Sequence, residues 1–342
     1  MKFTTIQKAF LAVIIANTIW GAAAPIFKLS LQNIPPFTLA FWRFFLGALI
    51  LLAFLGKKAK IPTSSKHDLG LLIGYALTGI TINIMFFFWG LQRTYAINSP
   101  VITSASPVMT YFLALIFLHE HASSKKLFGM IVGCLRIIVI VLEPILKTGL
   151  DGSLLGNLFL VIATIAAVVQ TIFCKEALPK FEPFAFTFWA FIIGAASFLP
   201  LALLEYVKIP HLYAAIDYRG YLGVAYGAIF SSAIGYGLYA WGLSKMSATD
   251  SALFSYIDPI SGTILAYFLL HEPITGYFIL GTALIFGGIF IAEGRIHYHP
   301  FNKLHPIAIN VPPAIIATPI ENTPVPKKKV RSVIAGIFDK KT

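Results

Sequence analysis

The same pattern occurs twice in the chain: residues 89–129 read WGLQRTYAINSPVITSASPVMTYFLALIFLHEHASSKKLFG, and residues 241–281 read WGLSKMSATDSALFSYIDPISGTILAYFLLHEPITGYFILG. Twelve of the 41 aligned positions are identical without a gap. About four identities would be expected by chance in a chain so rich in a few apolar residue types. The repeat, with an offset of 152 positions, therefore predicts two structurally related halves.

The composition indicates a membrane protein. Of the 342 residues, 58% are hydrophobic and 12% are charged, with a mean hydropathy of +0.81, whereas about 25% of the residues of a soluble protein are charged. The net charge of +12 lies mainly in short connections and in the C-terminal tail, so it favours membrane topology over a nucleic-acid-binding face. Cys134 and Cys174 both lie in apolar runs, and no disulfide framework is expected.

Ten apolar segments are long enough to cross a bilayer, whose hydrocarbon core is about 30 Å thick. Each must be helical, because a lone strand would leave its backbone groups unpaired in lipid. The predicted fold class is an all-α integral membrane protein with ten transmembrane helices. The segments lie near 9–27, 37–55, 69–91, 98–118, 126–143, 153–174, 184–204, 220–242, 250–270 and 275–294.

Basic residues predict the orientation of these helices. If the N-terminus is cytoplasmic, the cytoplasmic connections and the tail carry nineteen Lys and Arg residues, and the opposite side carries five. Positive charge is retained inside, so both termini are expected in the cytoplasm. Five spans per half is an odd number, so the halves must be inverted, a plan common among secondary transporters. The predicted domains are a first repeat at 8–145, a second at 153–294 and a flexible, basic, Pro-rich tail at 295–342.

Several motifs, in this order, resemble the EamA-type transporters of the drug/metabolite transporter superfamily. They are Trp20-Gly21 followed by Lys28, Arg43-Phe44, and then Pro107 or Pro259 followed by Leu-x-Glu and a Gly-containing helix. The resemblance covers roughly residues 8–294. It implies a ten-helix carrier in which the first four helices of each half surround a central cavity and the fifth is a scaffold. It also implies export of amino acids and other small metabolites, as in most bacterial members, and hence a location in the bacterial inner membrane.

The chain departs from that family pattern at three positions. The family has a small residue before the glutamate of Leu-x-Glu, whereas this chain has His119 and His271. The fifth helix usually carries a small residue where this chain has Arg136. Because the resemblance makes that helix a scaffold, Arg136 is not expected to contact the substrate.

Polar residues in the 98–118 helix fall on one face, since they follow the spacing i, i+4, i+7, i+11. The repeat puts a matching set on the 250–270 helix. Such stripes either line a substrate pathway or allow close helix packing, because small polar residues serve both roles in membranes. The residues are Ser99, Thr103, Ser106 and Thr110 in the first stripe, and Ser251, Ser255, Asp258 and Gly262 in the second.

Asp258 is the carboxylate that the sequence places deepest in a span. Charge at mid-bilayer is costly and marks a pathway, a proton relay or a buried ion pair. Asp258 is therefore the candidate for proton coupling. Pro107 and Pro259 interrupt the same two helices, because proline removes a backbone donor, and are expected to shape the bundle and to contribute to hinge motion.

Other polar and aromatic residues are assigned more simply. Arg43 lies one or two turns inside its helix and is expected to snorkel to the lipid headgroups, with attraction of an anionic substrate as a minor alternative. Trp20, Tyr236 and Tyr256 are expected to form walls of a pocket. Asn17 and Asn83 either bind a polar ligand or hydrogen-bond another helix. The triplet at 119–121 suggests a metal site, but its repeat partner loses the third ligand, which favours a structural role at a helix end.

These observations predict a secondary carrier that exports a small, amino-acid-like metabolite by alternating access, driven by a gradient because no nucleotide-binding motif is present. The expected partners are the substrate and the bilayer, with no nucleic acid, no metal and no cofactor. A membrane enzyme acting on a lipid or prenyl substrate is the alternative, and it would need acids or histidines clustered at one interface. The substrate, the coupling ion and the oligomeric state, a homodimer included, are left open.

Overall fold

Eight helices long and apolar enough to cross a membrane make up the part of the chain that the computed structural model describes, residues 3–60, 65–121 and 152–272. Their ends lie within four residues of the predicted boundaries. These ranges contain helices and no strand, which confirms an all-helical membrane fold. The predicted spans at 126–143 and 275–294, and with them the count of ten, lie outside the described residues. The helices are α1 (Thr5–Ser30), α2 (Pro36–Leu55), α3 (Lys66–Leu91), α4 (Asn98–Phe117), α5 (Gly152–Ala177), α6 (Pro183–Lys208), α7 (Tyr218–Leu243) and α8 (Ala248–Leu270).

Polar side chains next to the helix starts explain where several helices begin. The hydroxyl of Thr4 accepts a hydrogen bond from the backbone of Gln7, whose side chain accepts one in return. The hydroxyls of Ser65 and Ser247 accept from the backbone amides of Asp68 and Asp250 and cap α3 and α8. Each cap satisfies a backbone N–H that has no partner within the helix.

Two repeat-related helices, α3 and α7, contain wider π-helical turns in mid-span. These turns cover Leu77–Ile82 in α3 and Gly227–Ile234 in α7, and the offset of 152 positions brings them into register. A π-helical turn breaks the regular hydrogen-bond ladder and is frequent at functional sites. Both halves therefore have an irregular backbone at matching places.

The other repeat pair, α4 and α8, is interrupted before its proline. α4 consists of Asn98–Thr103 and Ser106–Phe117. α8 consists of Ala248–Leu253, a 3₁₀ turn, and Asp258–Leu270. The helical segment that follows each interruption has proline as its second residue, Pro107 in α4 and Pro259 in α8. Proline has no backbone N–H to donate to the preceding turn.

Close contacts hold the helices together on the inside, while large apolar side chains face outward. Phe44 of α2 packs against Phe191 of α6, with ring centroids 5.3 Å apart. On the outside, Phe54, Ile116 and Phe268 are between 60% and 75% exposed, which fits a surface solvated by lipid rather than by water.

Candidate substrate cavity

Glu120 follows the end of α4 and caps the start of α8. Its Oε1 accepts a hydrogen bond from the Ala248 amide at 2.7 Å, and its Oε2 accepts from the Thr249 amide at 3.3 Å and the Thr249 hydroxyl at 2.6 Å. His119, with φ 53°, is in the left-handed region that ends a helix. Glu120 is therefore a helix-capping residue.

Glu272 does the same for α4 from the end of α8. Its two carboxylate oxygens accept from the amides of Ala96 at 2.8 Å and Ile97 at 3.0 Å. Lys28 of α1 donates to the same carboxylate at 3.1 Å. His271 before it also has φ 53°. The left-handed backbone at this position costs a residue with a Cβ about 1–2 kcal/mol.

These two caps define the relation between the halves. The end of α4 meets the start of α8, and the end of α8 meets the chain just before α4. The two repeat partners are therefore antiparallel. An inverted relation between the described parts of the two halves follows from this pairing.

Two cavities lie between these helices. The first, of about 130 Å³, extends toward the end of α1 that carries Lys28, and the second, of about 90 Å³, extends toward Glu120. Trp20, Thr103, Ala167, Gln170 and Asp258 line both. The first cavity is also lined by Ala23, Ala24, Phe27, Arg43, Asn83, Ile84, Phe87, Ser99, Pro100, Leu160, Ala163, Thr164, Ser231 and Tyr236. The second is also lined by Asn17, Ser106, Thr110, Val168, Thr171, Tyr239, Ser251, Ala252 and Ser255.

The two polar stripes face each other across these cavities. The hydroxyls of Ser106 and Ser255 lie 3.0 Å apart and join the stripes directly. Gly262 has a different position: a Cβ there would lie 2.8 Å from the Pro100 Cγ and 2.9 Å from the Gly21 carbonyl oxygen. Most of the stripe residues therefore lie on the cavity walls, and Gly262 lies in close helix packing.

Asp258 lies on the wall that the two cavities share. It is 5% exposed, and its Oδ1 has no hydrogen-bond partner among the described residues. Gly21 allows α1 to lie directly against α8 at Asp258, because a Cβ at Gly21 would lie 2.7 Å from the Asp258 Cα. Removing an unpaired carboxylate from water is expensive, so this oxygen is available to a substrate or a proton.

The expectation that Arg43 snorkels to the headgroups was wrong. Its side chain does not reach the headgroups: it is 2% exposed and lies on the wall of the first cavity. It donates to the hydroxyls of Ser232 and Ser231 of the π-helical turn in α7, both at 2.9 Å. Gly227 leaves room for its stem, since a Cβ there would lie 2.9 Å from the Arg43 Cγ. Arg136 lies outside the described residues.

Of the three aromatic residues predicted to form pocket walls, Trp20 and Tyr236 line a cavity and Tyr256 does not. Trp20 donates its indole N–H to the Ser231 carbonyl at 3.0 Å, and Tyr236 donates its hydroxyl to the Gly79 carbonyl at 3.2 Å. Both acceptors belong to π-helical turns. Tyr256 is buried, but it is part of neither cavity wall.

Asn17 and Asn83 each use their amide group in a helix contact. Asn17 donates to the Val13 carbonyl of its own helix at 2.8 Å, and Asn83 donates to the Ala163 carbonyl of α5 at 2.7 Å. Asn17 lines the second cavity and Asn83 the first. Both hydrogen-bond a helix and border a cavity.

The sequence interpretation missed the contribution of α5. Thr164, Gln170 and Thr171 are buried on the cavity walls. Gln170 packs directly against Gly79, which has no side chain to block it. Three polar residues in an otherwise apolar run were the available signal, because such residues face the interior of a membrane bundle.

Known proteins share the sequence pattern and the fold. A protein of Bacillus subtilis (strain 168), named an uncharacterized transporter, is 27% identical over 285 residues, which cover 83% of this chain and 86% of that protein. A protein of Escherichia coli (strain K12), named a probable amino-acid metabolite efflux pump, is 25% identical over 291 residues, covering 83% and 94%. A solved crystal structure that is 16% identical superposes with a TM-score of 0.60 over 84% of this chain and 96% of that one, which shows a shared fold.

The pattern of the EamA-like transporter family matches this chain twice, at residues 7–142 and again at 154–293. The two matches cover most of the chain, and the relatives bear the names of transporters rather than of enzymes. The chain belongs to the EamA-like transporter family.

Proposed function

We propose that this transporter is a secondary carrier that exports a small, amino-acid-like metabolite by alternating access, driven by a gradient across the bacterial inner membrane. The observation that supports it most is the pair of cavities on either side of one shared wall, between antiparallel helices of the two halves. A carrier that opens to one side at a time needs such a site near its centre. The name of the Escherichia coli relative, an amino-acid metabolite efflux pump, supports the substrate class.

The two helix caps are suited to act as gates. Glu120 joins the halves at one end of the cavities and Glu272 joins them at the other. Opening one end while the other stays capped would expose one cavity only. The interruptions in α4 and α8 give each half a place to bend between the cap and the cavity.

We expect purified protein in proteoliposomes to move labelled amino acids, and not sugars or polyamines, when a pH gradient is imposed. Thr103 lines both cavities, so Thr103→Trp should fill them and reduce flux at least tenfold. Ile116→Trp, on the same helix but 63% exposed on the outer surface, is the matched control and should transport like the wild type. Equal flux in the two variants, or no flux of any amino acid, would contradict the proposed function.

The orientation is a separate prediction. Reporter fusions after Lys60, Gly149 and Thr342 should report a cytoplasmic, a periplasmic and a cytoplasmic location, because basic residues are retained on the cytoplasmic side. Alkaline phosphatase, active only outside, and a fluorescent protein, active only inside, give opposite readouts at each point. Any other order would reject the inside location of both termini.

A further inference from the structure

Arg43 has the surroundings of a binding residue rather than of a structural ion pair. Its guanidinium carbon lies 4.8 Å from the ring centroid of Phe27 and 4.7 Å from that of Phe44. The two hydrogen bonds to Ser231 and Ser232 use only two of its five N–H donors. The rings and the serines fix the orientation of the guanidinium group.

Among the described residues, no carboxylate oxygen lies within the ion-pair distance of 4.0 Å from an Arg43 nitrogen, and the acids that form ion pairs there do so with other partners. The serine hydroxyls are neutral, and the two rings compensate for only a small part of the lost hydration. A buried cation without a counter-ion is strongly unfavourable, so the site is suited to an anion that arrives from the cavity.

The rest of the first cavity indicates what kind of anion fits. Its volume, about 130 Å³, is close to that of an engineered protein cavity of about 150 Å³ that binds benzene. Phe87 and Ile84 give it an apolar wall, and Asp258 lies on the wall it shares with the second cavity. A small organic molecule with one carboxylate and an apolar body matches these surfaces.

We propose that the first cavity contains a carboxylate-binding subsite in which Arg43, held by Phe27, Phe44, Ser231 and Ser232, pairs with the carboxylate of the transported molecule. The guanidinium fork matches a carboxylate in two parallel hydrogen bonds, which a lysine cannot reproduce. This inference rests on the proposed function and adds the residue that selects for an acid. Arg43 would therefore distinguish amino acids from the corresponding amides and amines.

The test compares L-phenylalanine with L-phenylalaninamide, which has the same body and ammonium group but lacks the carboxylate. Binding to the full chain in detergent is measured by calorimetry and by the ligand-induced shift of the unfolding temperature. The wild type should bind the acid about 10- to 100-fold more tightly than the amide, the range of a charge-assisted hydrogen bond in a buried site. Because this contrast uses the unaltered protein, it does not depend on whether a variant folds.

Variants assign the effect to Arg43. Arg43→Gln and Arg43→Lys should both lose most of the preference for the acid, and Ser231→Ala should reduce it. Arg93→Gln, an exposed arginine at the end of α3 outside the cavities, is the matched control and should keep the preference. Chloride, added without amino acid at constant ionic strength, tests for a simple inorganic counter-ion.

Three results would overturn the inference: equal binding of acid and amide, an unchanged preference in Arg43→Gln, or stabilisation by chloride that L-phenylalanine does not displace. Amino-acid flux in proteoliposomes without any contribution from Arg43 would leave the proposed function intact and reject this subsite. The absence of flux would instead reject the proposed function, so the two failures are distinguishable.

Discussion

Asp258→Asn is expected to remove the dependence of transport on the pH gradient while the protein remains folded and inserted. The carboxylate lies between the two cavities, and its Oδ1 has no partner among the described residues. Low-dielectric surroundings disfavour an unpaired charge, so a proton can be bound from one side and released to the other as the site changes its access. Asparagine has nearly the same shape but cannot carry that proton.

The groups that face Asp258 from the neighbouring helices offer no second carboxylate that could bind the proton in its place. Trp20, Thr103, Gln170 and Tyr239 border the same cavity wall, and the Tyr239 hydroxyl lies 3.3 Å from that of Thr171. None of them is a carboxylate. Asp258 is therefore the candidate carboxylate for a proton site in the described part of the cavity walls.

The measurement is accumulation of labelled amino acid in proteoliposomes under an imposed pH jump. Asp258→Asn should lose accumulation against a gradient but retain downhill exchange, and Asp258→Glu should keep part of the coupling. Glu176→Gln is the matched control, because Glu176 is a carboxylate with 44% of its side chain exposed, paired with His67 away from the cavities. Accumulation by Asp258→Asn with the pH dependence of the wild type would show that Asp258 is not the proton site.

Gly21→Ala is expected to destabilise the protein more than other single-methyl changes. The added Cβ would collide with the Ser261 hydroxyl and would lie 2.5 Å from the Asp258 carbonyl oxygen and 2.7 Å from its Cα. A backbone cannot move aside as a side chain can, so α1 and α8 would have to separate. Overpacking of this kind costs about 1–3 kcal/mol, which would lower the unfolding temperature of a chain of this length by about 1–4 °C.

Gly70→Ala is the matched control for that substitution. A Cβ at Gly70, also inside a helix, meets nothing within 4 Å. Alanine there should be neutral or stabilising by about 0.5–1 kcal/mol, because glycine loses more conformational freedom in a helix. Thermal unfolding in detergent compares the two variants, and a Gly21→Ala protein as stable as Gly70→Ala would mean that α1 and α8 are not in such close contact.

Much of this protein follows from local features of the sequence. A bilayer requires every span to be an apolar helix, so length and hydropathy alone placed the ends of eight helices within four residues. The repeat aligned Glu120 with Glu272, and the spacing of Ser99, Thr103 and Ser106 predicted one polar face. Asp258 was singled out because charge is rare in a span.

The tertiary structure decided the properties that depend on which helices meet. Arg43 is one turn or two from a helix end in sequence, but Gly227 and the π-helical turn of α7 let it point inward between Phe27 and Phe44. Hydropathy records how polar a residue is and not the direction in which its helix is rotated. The snorkelling expectation failed for that reason.

The partners of the two capping glutamates also could not be read from the sequence, because they depend on which helices meet. The sequence favoured a helix-end role for Glu120, but the helix it caps belongs to the other half, 128 positions away. Thr164 and Gln170 of α5 were overlooked because a polar residue in a span faces a cavity or a neighbouring helix equally well until the packing is known. The sequence by itself determined the class, the repeat and the spans, since these follow from solvation and periodicity along one segment. The cavities and the partners of their charged residues were decided by the folded structure, since they arise from contacts between segments that are far apart in the chain.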